Sequence, residues 1–279
     1  MRNFKITLVL CMLVHITFSQ VPAITVQVSG SGAPVLYLPG FTNPGSVWKE
    51  TVSNLKGTHE HHLISYAGFD GNAPIEMPWY LTIKKELVDY IEKKQLKNVI
   101  IIGHSMGGNL AIDIAAAIPN DIKSLILVDS IPCMRELMMP GVSVDQIQYD
   151  SPYNNQMLNM NEDQFKQTAT MMAQNMTNKK DKVDVLLNWI LKADRKTYVY
   201  GYTDLLKLDL RTVLDKVTAE TLIIGAAFPT IEVAESNYNK QYATLSNKKI
   251  EMIADSKHFI MFDQPEVFYQ KVNAFLGNE

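Results

Sequence analysis

Residues 99–110 read VIIIGHSMGGNL and place a lone serine, Ser105, between glycines directly after four branched apolar residues. A continuous apolar run such as 99–102 is typical of a strand that is buried on both faces of a parallel sheet. The residues at 106–118 have a helical pattern instead. The segment GHSMG therefore fits the pattern G-x-S-x-G in the strand-to-helix context that this motif requires.

The glycines around Ser105 have a physical reason to be there. A sharp strand-to-helix turn crowds its neighbours, so Gly103 and Gly107 must lack side chains, and the turn imposes an unfavourable backbone conformation on the serine. The hydroxyl is thereby lifted to the carboxyl edge of the sheet, beside the positive end of a helix. We predict that Ser105 is a nucleophile. The alternative is a glycine-rich turn with a serine that only caps the helix.

Short apolar segments alternate with helical patterns along most of the chain. The predicted strands are at 24–28, 35–38, 62–66, 99–102, 124–128, 221–224 and 249–253. The predicted helices between them are at 46–57, 79–95, 106–118, 232–244 and 264–276. Buried strands that alternate with helices predict an α/β fold with a doubly wound, mostly parallel sheet and helices on both of its faces.

The interval at about 131–214 interrupts this alternation. It contains no convincing strand, two probable helices near 161–176 and 181–193, and many methionines. Because long loops without secondary structure are uncommon in compact domains, we expect a helical cap inserted between two late strands. The methionines either line a pocket for apolar groups or pack the core of the cap itself.

The first residues of the sequence have the pattern of an export signal. Arg2 and Lys5 precede an apolar run at 6–18, and small residues stand before Gln20 as a signal peptidase requires. We predict a signal peptide at 1–19, an exported (periplasmic or secreted) protein, and a single domain at 20–279. A membrane anchor is the alternative, but the run is shorter than the ~20 residues that span a bilayer.

Composition excludes several classes of protein. The 279 residues are 47% hydrophobic, which supports one large core, and the formal net charge of −3 comes without a basic stripe, which argues against nucleic-acid binding. Cys11 falls in the predicted signal, so Cys133 has no partner for an internal disulfide. No later apolar run approaches spanning length, so no stable membrane span is expected after signal removal. The oligomeric state stays open.

A serine nucleophile needs a base that removes its proton. Among the six histidines, His258 lies in DSKHFIMFDQPE, after the last predicted strand and before the final helix, and would return to the edge of the sheet that carries Ser105. His104 lies inside the turn and is expected to face away from the substrate. The histidines of THEHH, at 58–62, are expected in a solvated segment before a strand rather than in a metal site.

At these residues the chain resembles the α/β-hydrolase family. The resemblance rests on LPGF after an early strand, on GHSMGG, on the cap insertion and on KHFIMFDQPE, in the order nucleophile before histidine. It implies an oxyanion hole made by two backbone amides, which here are those of Phe41 and Met106. Pro39 stands where many relatives have histidine, and the amide donor is unaffected by that exchange.

The acid of the expected triad is less easily assigned. Most members of the family carry it after the strand that follows the cap, but Phe228 stands there in this sequence. Some members supply it after the strand that follows the nucleophile helix, where this chain has Asp129 in LILVDS. We assign Asp129, with Glu232 in PTIE as second choice. Asp129 as a mere strand-end residue, with no acid completing the set, is the third possibility.

The predicted reaction is acyl transfer to water by a probable carboxylesterase. Ser105 attacks a carbonyl, His258 accepts the serine proton and later passes it to the leaving group, and Asp129 orients His258. No metal or organic cofactor is required. The partners are water and a small, apolar acyl substrate, with a carboxylic ester as the first choice. Thioester, lactone, amide or carbon–carbon cleavage, and a catalytically weak ligand-binding protein, are the alternatives.

Overall fold

The computed structural model describes residues 21–277. The predicted signal peptide at 1–19 lies outside the described residues. Within 21–277 no helix combines the length and the apolar character that crossing a bilayer requires.

The described residues form one seven-stranded sheet with the spatial order β1-β3-β2-β4-β5-β6-β7. The strands are β1 (Ile24–Gly30), β2 (Ala33–Leu38), β3 (His59–Tyr66), β4 (Val99–His104), β5 (Ile122–Val128), β6 (Glu220–Ala226) and β7 (Lys248–Ile253). Only β1 runs antiparallel to its neighbour, and every other pairing is parallel. All seven predicted strands are therefore present, in the mostly parallel sheet that the alternation predicted.

The central strands are apolar throughout because both of their faces are buried. In β4, Val99 and Ile101 pack into the core on one face of the sheet, whereas Ile100 and Ile102 pack into the core on the other face. Successive strand residues point to opposite faces, so a strand covered on both sides must be apolar at every position. Each such side chain contributes about 1.5–3 kcal/mol by leaving water.

Helices cover both faces of the sheet and also form the insertion. They are α1 (Lys49–Asn54), α2 (Trp79–Lys93), α3 (Met106–Ala117), α4 (Met134–Met138), α5 (Pro152–Asn159), α6 (Glu162–Met176), α7 (Lys180–Lys192), α8 (Arg195–Lys207), α9 (Ile231–Gln241), α10 (Ile260–Asp263) and α11 (Pro265–Leu276). Side chains of α2, α3 and α9 enter one core, and those of α11 enter the other. The sheet is thus doubly wound.

The helical cap comprises α4 to α8, between β5 and β6. Two hydrogen bonds fix α8 to the body of the protein, because the Tyr80 N–H donates to Asp204 Oδ2 (3.1 Å) and the Asp194 N–H to the Gly68 carbonyl (2.8 Å). Asp194 also caps the first turn of α8 through the Thr197 N–H. The predicted insertion of a helical cap between two late strands is confirmed.

Two local predictions were wrong. The histidines of THEHH do not precede a strand, because β3 begins at His59 and pairs with β1 from Glu60 onward. The Nδ1 atoms of His61 and His62 are hydrogen-bonded to tyrosine hydroxyls, at 2.8 and 2.7 Å. These hydrogen bonds satisfy these polar imidazole atoms within the sheet. The helix expected at 46–57 is a short 3₁₀ turn followed by α1, and it stops at Asn54 since Leu55 is extended.

Candidate active site

Ser105 occupies a strained corner between β4 and α3. Its backbone angles are φ 53° and ψ −121°, a conformation that costs a non-glycine residue about 1–3 kcal/mol. The Ser105 N–H donates to the Val128 carbonyl at the end of β5 (2.8 Å), so the neighbouring strand holds the corner in place. A strained residue that its surroundings fix in this way is typical of a functional site.

The glycines of the motif are required by close backbone contacts, as predicted. A Cβ on Gly103 would overlap the Gly107 carbonyl, and a Cβ on Gly107 would overlap the Leu38 carbonyl oxygen. The first turn of α3 therefore lies directly against the loop that follows β2. This contact brings the loop that carries Phe41 next to the nucleophile corner.

Asp129 and His258 form a hydrogen-bonded pair at the same edge of the sheet. Asp129 follows β5 with φ 44°, and its N–H donates to the Ile224 carbonyl of β6 (2.8 Å). His258 lies between β7 and α10, and its Nδ1 is 2.6 Å from Asp129 Oδ2. With Nδ1–H donating to the carboxylate, the Nε2 atom of His258 is the one left to accept a proton.

Two further donors hold the other oxygen of Asp129. Oδ1 accepts hydrogen bonds from the Ala226 N–H (2.9 Å) and from the Tyr238 hydroxyl (2.8 Å). Burial alone would raise the pKa of the Asp129 carboxyl, but the hydrogen bonds from His258, Ala226 and Tyr238 outweigh burial and hold that pKa below its usual value. Asp129 is therefore a carboxylate, oriented from three sides.

The bond to Ala226 shows that Asp129 reaches the end of the neighbouring strand, near the position where most family members carry the acid. Ala226 ends β6, the strand beside β5, so a carboxylate from the end of β5 reaches the place that a residue after β6 would otherwise fill. Phe228, in that usual position, is 67% exposed. Glu232 lies exposed in the first turn of α9 and is not the carboxylate that His258 contacts. Of the two predicted acids, the structure brings Asp129 to His258.

His104 has a structural position that the sequence did not reveal. Its Nε2 is 2.9 Å from the His258 carbonyl oxygen, and its ring packs on the His258 ring with centroids 4.6 Å apart. A carbonyl only accepts, so His104 Nε2 carries the proton. Burial, and then the nearby His258, lower the pKa of His104 to about 3, which keeps the ring neutral. The imidazole thus joins the nucleophile corner to the loop of His258.

The packing of His104 on His258 brings the loop of His258 to the corner that carries Ser105, the residue that follows His104. Residues 21–277 contain no hydrogen bond between the Ser105 and His258 side chains. Catalytic hydrogen bonds are often long or poorly aligned without substrate and shorten in the complex. The structure brings Asp129, His258 and the Ser105 corner together.

The two predicted oxyanion donors belong to the two segments that meet at that corner, α3 and the loop after β2. Met106 begins α3, so its N–H has no carbonyl one turn earlier in the helix to which it can donate. Phe41 follows β2 in the loop against which α3 packs. The Phe41 ring is held by four aromatic neighbours with centroids 4.9–5.8 Å away, namely Phe69, Trp79, Tyr198 and Tyr202.

A cavity of about 600 Å³ lies within the cap, and neither Ser105 nor Phe41 is among its lining residues. Tyr198 and Tyr202 line it, and both rings also pack on Phe41. Its wall includes the methionine side chains Met138, Met157 and Met172. The two tyrosine hydroxyls point to sulfur atoms, with Tyr198 Oη 3.0 Å from Met172 Sδ and Tyr202 Oη 3.4 Å from Met138 Sδ. The cap methionines thus have both predicted uses, since Met157 and Met172 line the cavity and also pack in a core cluster.

The family is established by a match over most of the chain. A model of the alpha/beta hydrolase family matches residues 35–271. The chain therefore belongs to the alpha/beta hydrolase family, as its motifs predicted.

Similar proteins include esterases. The chain is 24% identical over 265 residues to a pimeloyl-(acyl-carrier protein) methyl ester esterase of Aeromonas hydrophila, with 91% of this chain and 100% of that protein covered. It is 25% identical over 194 residues to a putative esterase/lipase 2 of Mycoplasma pneumoniae, with 69% of each covered. An esterase structure from Exiguobacterium antarcticum superposes with a TM-score of 0.74 at 20% identity, over 91% of this chain and 95% of that one. This last likeness supports the fold alone.

Proposed function

We propose that this protein is a serine esterase that hydrolyses carboxylic esters of small, apolar substrates through an acyl-enzyme. The observation that carries the proposal is the 2.6 Å bond between His258 Nδ1 and Asp129 Oδ2, at the sheet edge where Ser105 is held at a positive φ. Acyl transfer by a serine requires a nucleophilic hydroxyl, an imidazole base and a carboxylate that orients the imidazole. The esterases among the relatives support the same reaction.

Each residue has one task in the proposed reaction. His258 Nε2 removes the proton of Ser105 Oγ as that oxygen attacks the ester carbonyl, and the same proton is then given to the departing alcohol. Water repeats the sequence on the acyl-enzyme and releases the acid. Asp129 stabilises the imidazolium that forms twice in each cycle. The amides of Phe41 and Met106 hold the negative oxygen of both tetrahedral intermediates.

The cavity in the cap supports an apolar substrate. It falls within the range of about 300–1,000 Å³ that small-molecule sites span, and thioether side chains adapt to chains of irregular shape. Tyr198 and Tyr202 line the cavity and also pack on the ring of Phe41, the residue whose amide is a proposed oxyanion donor. We infer that the cavity takes the apolar part of the ester.

Fluorophosphonate labelling and ester hydrolysis together test the proposal. The wild-type protein is expected to be labelled at Ser105 and to hydrolyse nitrophenyl esters, with rates that depend on acyl length. Ser105→Ala is expected to abolish labelling and to lower kcat by about 10⁴-fold or more. Folded wild-type protein that is neither labelled nor active would contradict the esterase and favour the ligand-binding alternative.

We also propose that the protein is exported, a proposal that rests on the sequence of residues 1–19 alone. Expression of the full chain with mass spectrometry of its first residue is the test. A mature protein that begins at Gln20 and is found outside the cytoplasm is expected. A chain that keeps residues 1–19 and stays in the cytoplasm would contradict it.

A further inference from the structure

Asp263 is a buried carboxylate that the proposed reaction does not use. It ends α10, five residues after His258, and is only 5% exposed. Its Oδ2 accepts a hydrogen bond from the Lys257 N–H (2.8 Å), while Oδ1 accepts from the Thr177 hydroxyl (2.6 Å) and the Asn178 N–H (2.9 Å). One oxygen therefore faces the loop of His258, and the other faces the cap.

These contacts belong to a larger junction between two segments. We name the segment 254–259 the histidine loop and the segment 174–179, which joins α6 to α7, the cap corner. Three more hydrogen bonds connect them. The Phe259 N–H donates to the Met176 carbonyl (3.0 Å), Asn178 Nδ2 to the Asp255 carbonyl (3.1 Å) and Lys257 Nζ to the Gln174 carbonyl (3.0 Å).

The backbone around His258 is consequently held at three consecutive residues. Asp263 accepts from the N–H of Lys257, His104 donates to the carbonyl of His258, and the Met176 carbonyl accepts from the N–H of Phe259. The holding groups come from α10, β4 and the cap respectively. An imidazole that must meet both a serine and a carboxylate needs a fixed backbone, since a misplacement of ~1 Å can cost about 10²-fold in rate.

We propose that Asp263 is a positioning residue that sets the place of His258 and makes it depend on the cap corner. A carboxylate suits this place because both of its oxygens accept, and it receives donors from two opposite sides. An asparagine of the same shape has one accepting oxygen and one donating nitrogen, so it satisfies either the histidine loop or the cap corner, not both. In the described part of the chain no lysine or arginine forms an ion pair with Asp263, so these donors alone compensate its buried charge.

The decisive variant is Asp263→Asn, with Asp204→Asn as the matched control. Asp204 is also a buried carboxylate, 7% exposed, that accepts from a backbone N–H (Tyr80, 3.1 Å) and a hydroxyl (Tyr149, 2.5 Å), but it contacts α2 and not the histidine loop. The first readout is the downfield proton resonance of the His258–Asp129 hydrogen bond. This readout needs no substrate.

Asp263→Asn is expected to shift or broaden that resonance and to lower kcat for a nitrophenyl ester by about 10²-fold, with KM within about twofold. Asp204→Asn is expected to keep the resonance and kcat, although its thermal unfolding temperature falls. Equal behaviour of the two variants in resonance and kcat would overturn the proposal. The kcat arm rests on the proposed function, whereas the resonance arm does not, so a wild-type protein without esterase activity leaves the proposal testable.

Thr177 tests the dependence on the cap corner and keeps the carboxylate in place. Thr177→Val removes the hydroxyl that donates to Asp263 Oδ1, and Thr177→Ser restores it. We expect the valine variant to shift the same resonance and to lower kcat by about tenfold, and the serine variant to return both to wild-type values. If Asp263→Asn does not fold, this pair decides the question. A valine variant indistinguishable from wild type would refute the link to the cap.

Discussion

The carboxyl edge of the sheet and the helical cap meet at the candidate active site, but they are stabilised by different kinds of contact. At the edge, backbone hydrogen bonds hold the residues in place. Ser105 and Asp129 both have positive φ, and each donates its N–H to the next strand. Around the cavity of the cap, side-chain contacts are used instead, such as the contact of the Tyr198 hydroxyl with the Met172 sulfur. The difference separates the fixed residues of the proposed triad from a cavity whose methionine side chains can adapt in shape.

The largest test of the edge is removal of the charge on Asp129. Asp129→Asn is expected to lower kcat by about 10⁴-fold, because the amide no longer fixes the tautomer of His258 or stabilises its imidazolium. Glu232→Gln is the control and is expected to stay within about twofold, since Glu232 is exposed in α9. Steady-state kinetics on a nitrophenyl ester measures both. A greater loss in Glu232→Gln would reverse the assignment of the acid.

The next test adds one methyl group at the corner. Gly107→Ala drives a Cβ into the carbonyl oxygens of Leu38 and Pro39, and backbone cannot easily yield, so we expect a loss of about 3 kcal/mol in unfolding free energy. Gly71→Ala is the contact-free control, because no atom lies within 4 Å of its Cβ position, although its φ of 81° disfavours a side chain. That variant should lose about 1 kcal/mol, the cost of backbone strain alone. Equal losses in urea unfolding would mean that the contact with β2 is unimportant.

The sequence predicted the edge well because the edge depends on local pattern. Apolar runs and, at 24–28, alternation with polar residues located all seven strands, and parallel strands end at one edge, so residues directly after them were expected to meet there. The assignment of Asp129, by contrast, came from the resemblance to family members that carry their acid after the strand that follows the nucleophile helix. In the structure the ends of β5 and β6 lie side by side, so Asp129 reaches the end of β6 although Phe228 follows that strand.

The remaining features depend on long-range side-chain contacts, which the hydrophobic periodicity of the sequence does not encode. His104 was expected to face away from the substrate, and it packs on His258, 154 residues later in the chain. The link from Asp263 to Thr177 likewise spans 86 residues. The histidines of the polar segment THEHH lie in β3, where tyrosine hydroxyls from β2 and α2 form hydrogen bonds with two of the imidazoles. Contacts of this kind become visible only when the chain is folded, because tertiary partners override local preference.

His104 gives the stability of the edge a dependence on pH. Burial lowers the pKa of His104 from 6.5 to about 3 in the folded protein. Between about pH 3 and pH 6.5, His104 is therefore protonated in the unfolded chain and neutral in the native protein. Stability from this residue is complete above pH 6.5 and is lost as pH falls, by about 1.4 kcal/mol per pH unit. His104→Gln, which titrates nowhere in this range, should flatten the curve of unfolding free energy between pH 7 and pH 4. An unchanged slope would contradict a buried, neutral His104.

The smallest expected effect lies in the cap, where adjacent methionines of α6 provide a matched pair. Met172 lines the cavity, while Met171 is 59% exposed and lies outside it. Met172→Ala enlarges the cavity and is expected to raise the ratio of kcat/KM for a long-chain ester to that for acetate by about tenfold, since one to two methylenes in an apolar pocket carry that discrimination. Met171→Ala should leave the ratio unchanged. If both variants change it equally, selectivity does not reside in this cavity. If neither does, the apolar part of the substrate binds elsewhere, and the methionines serve only to pack the cap, as the other interpretation of the sequence held.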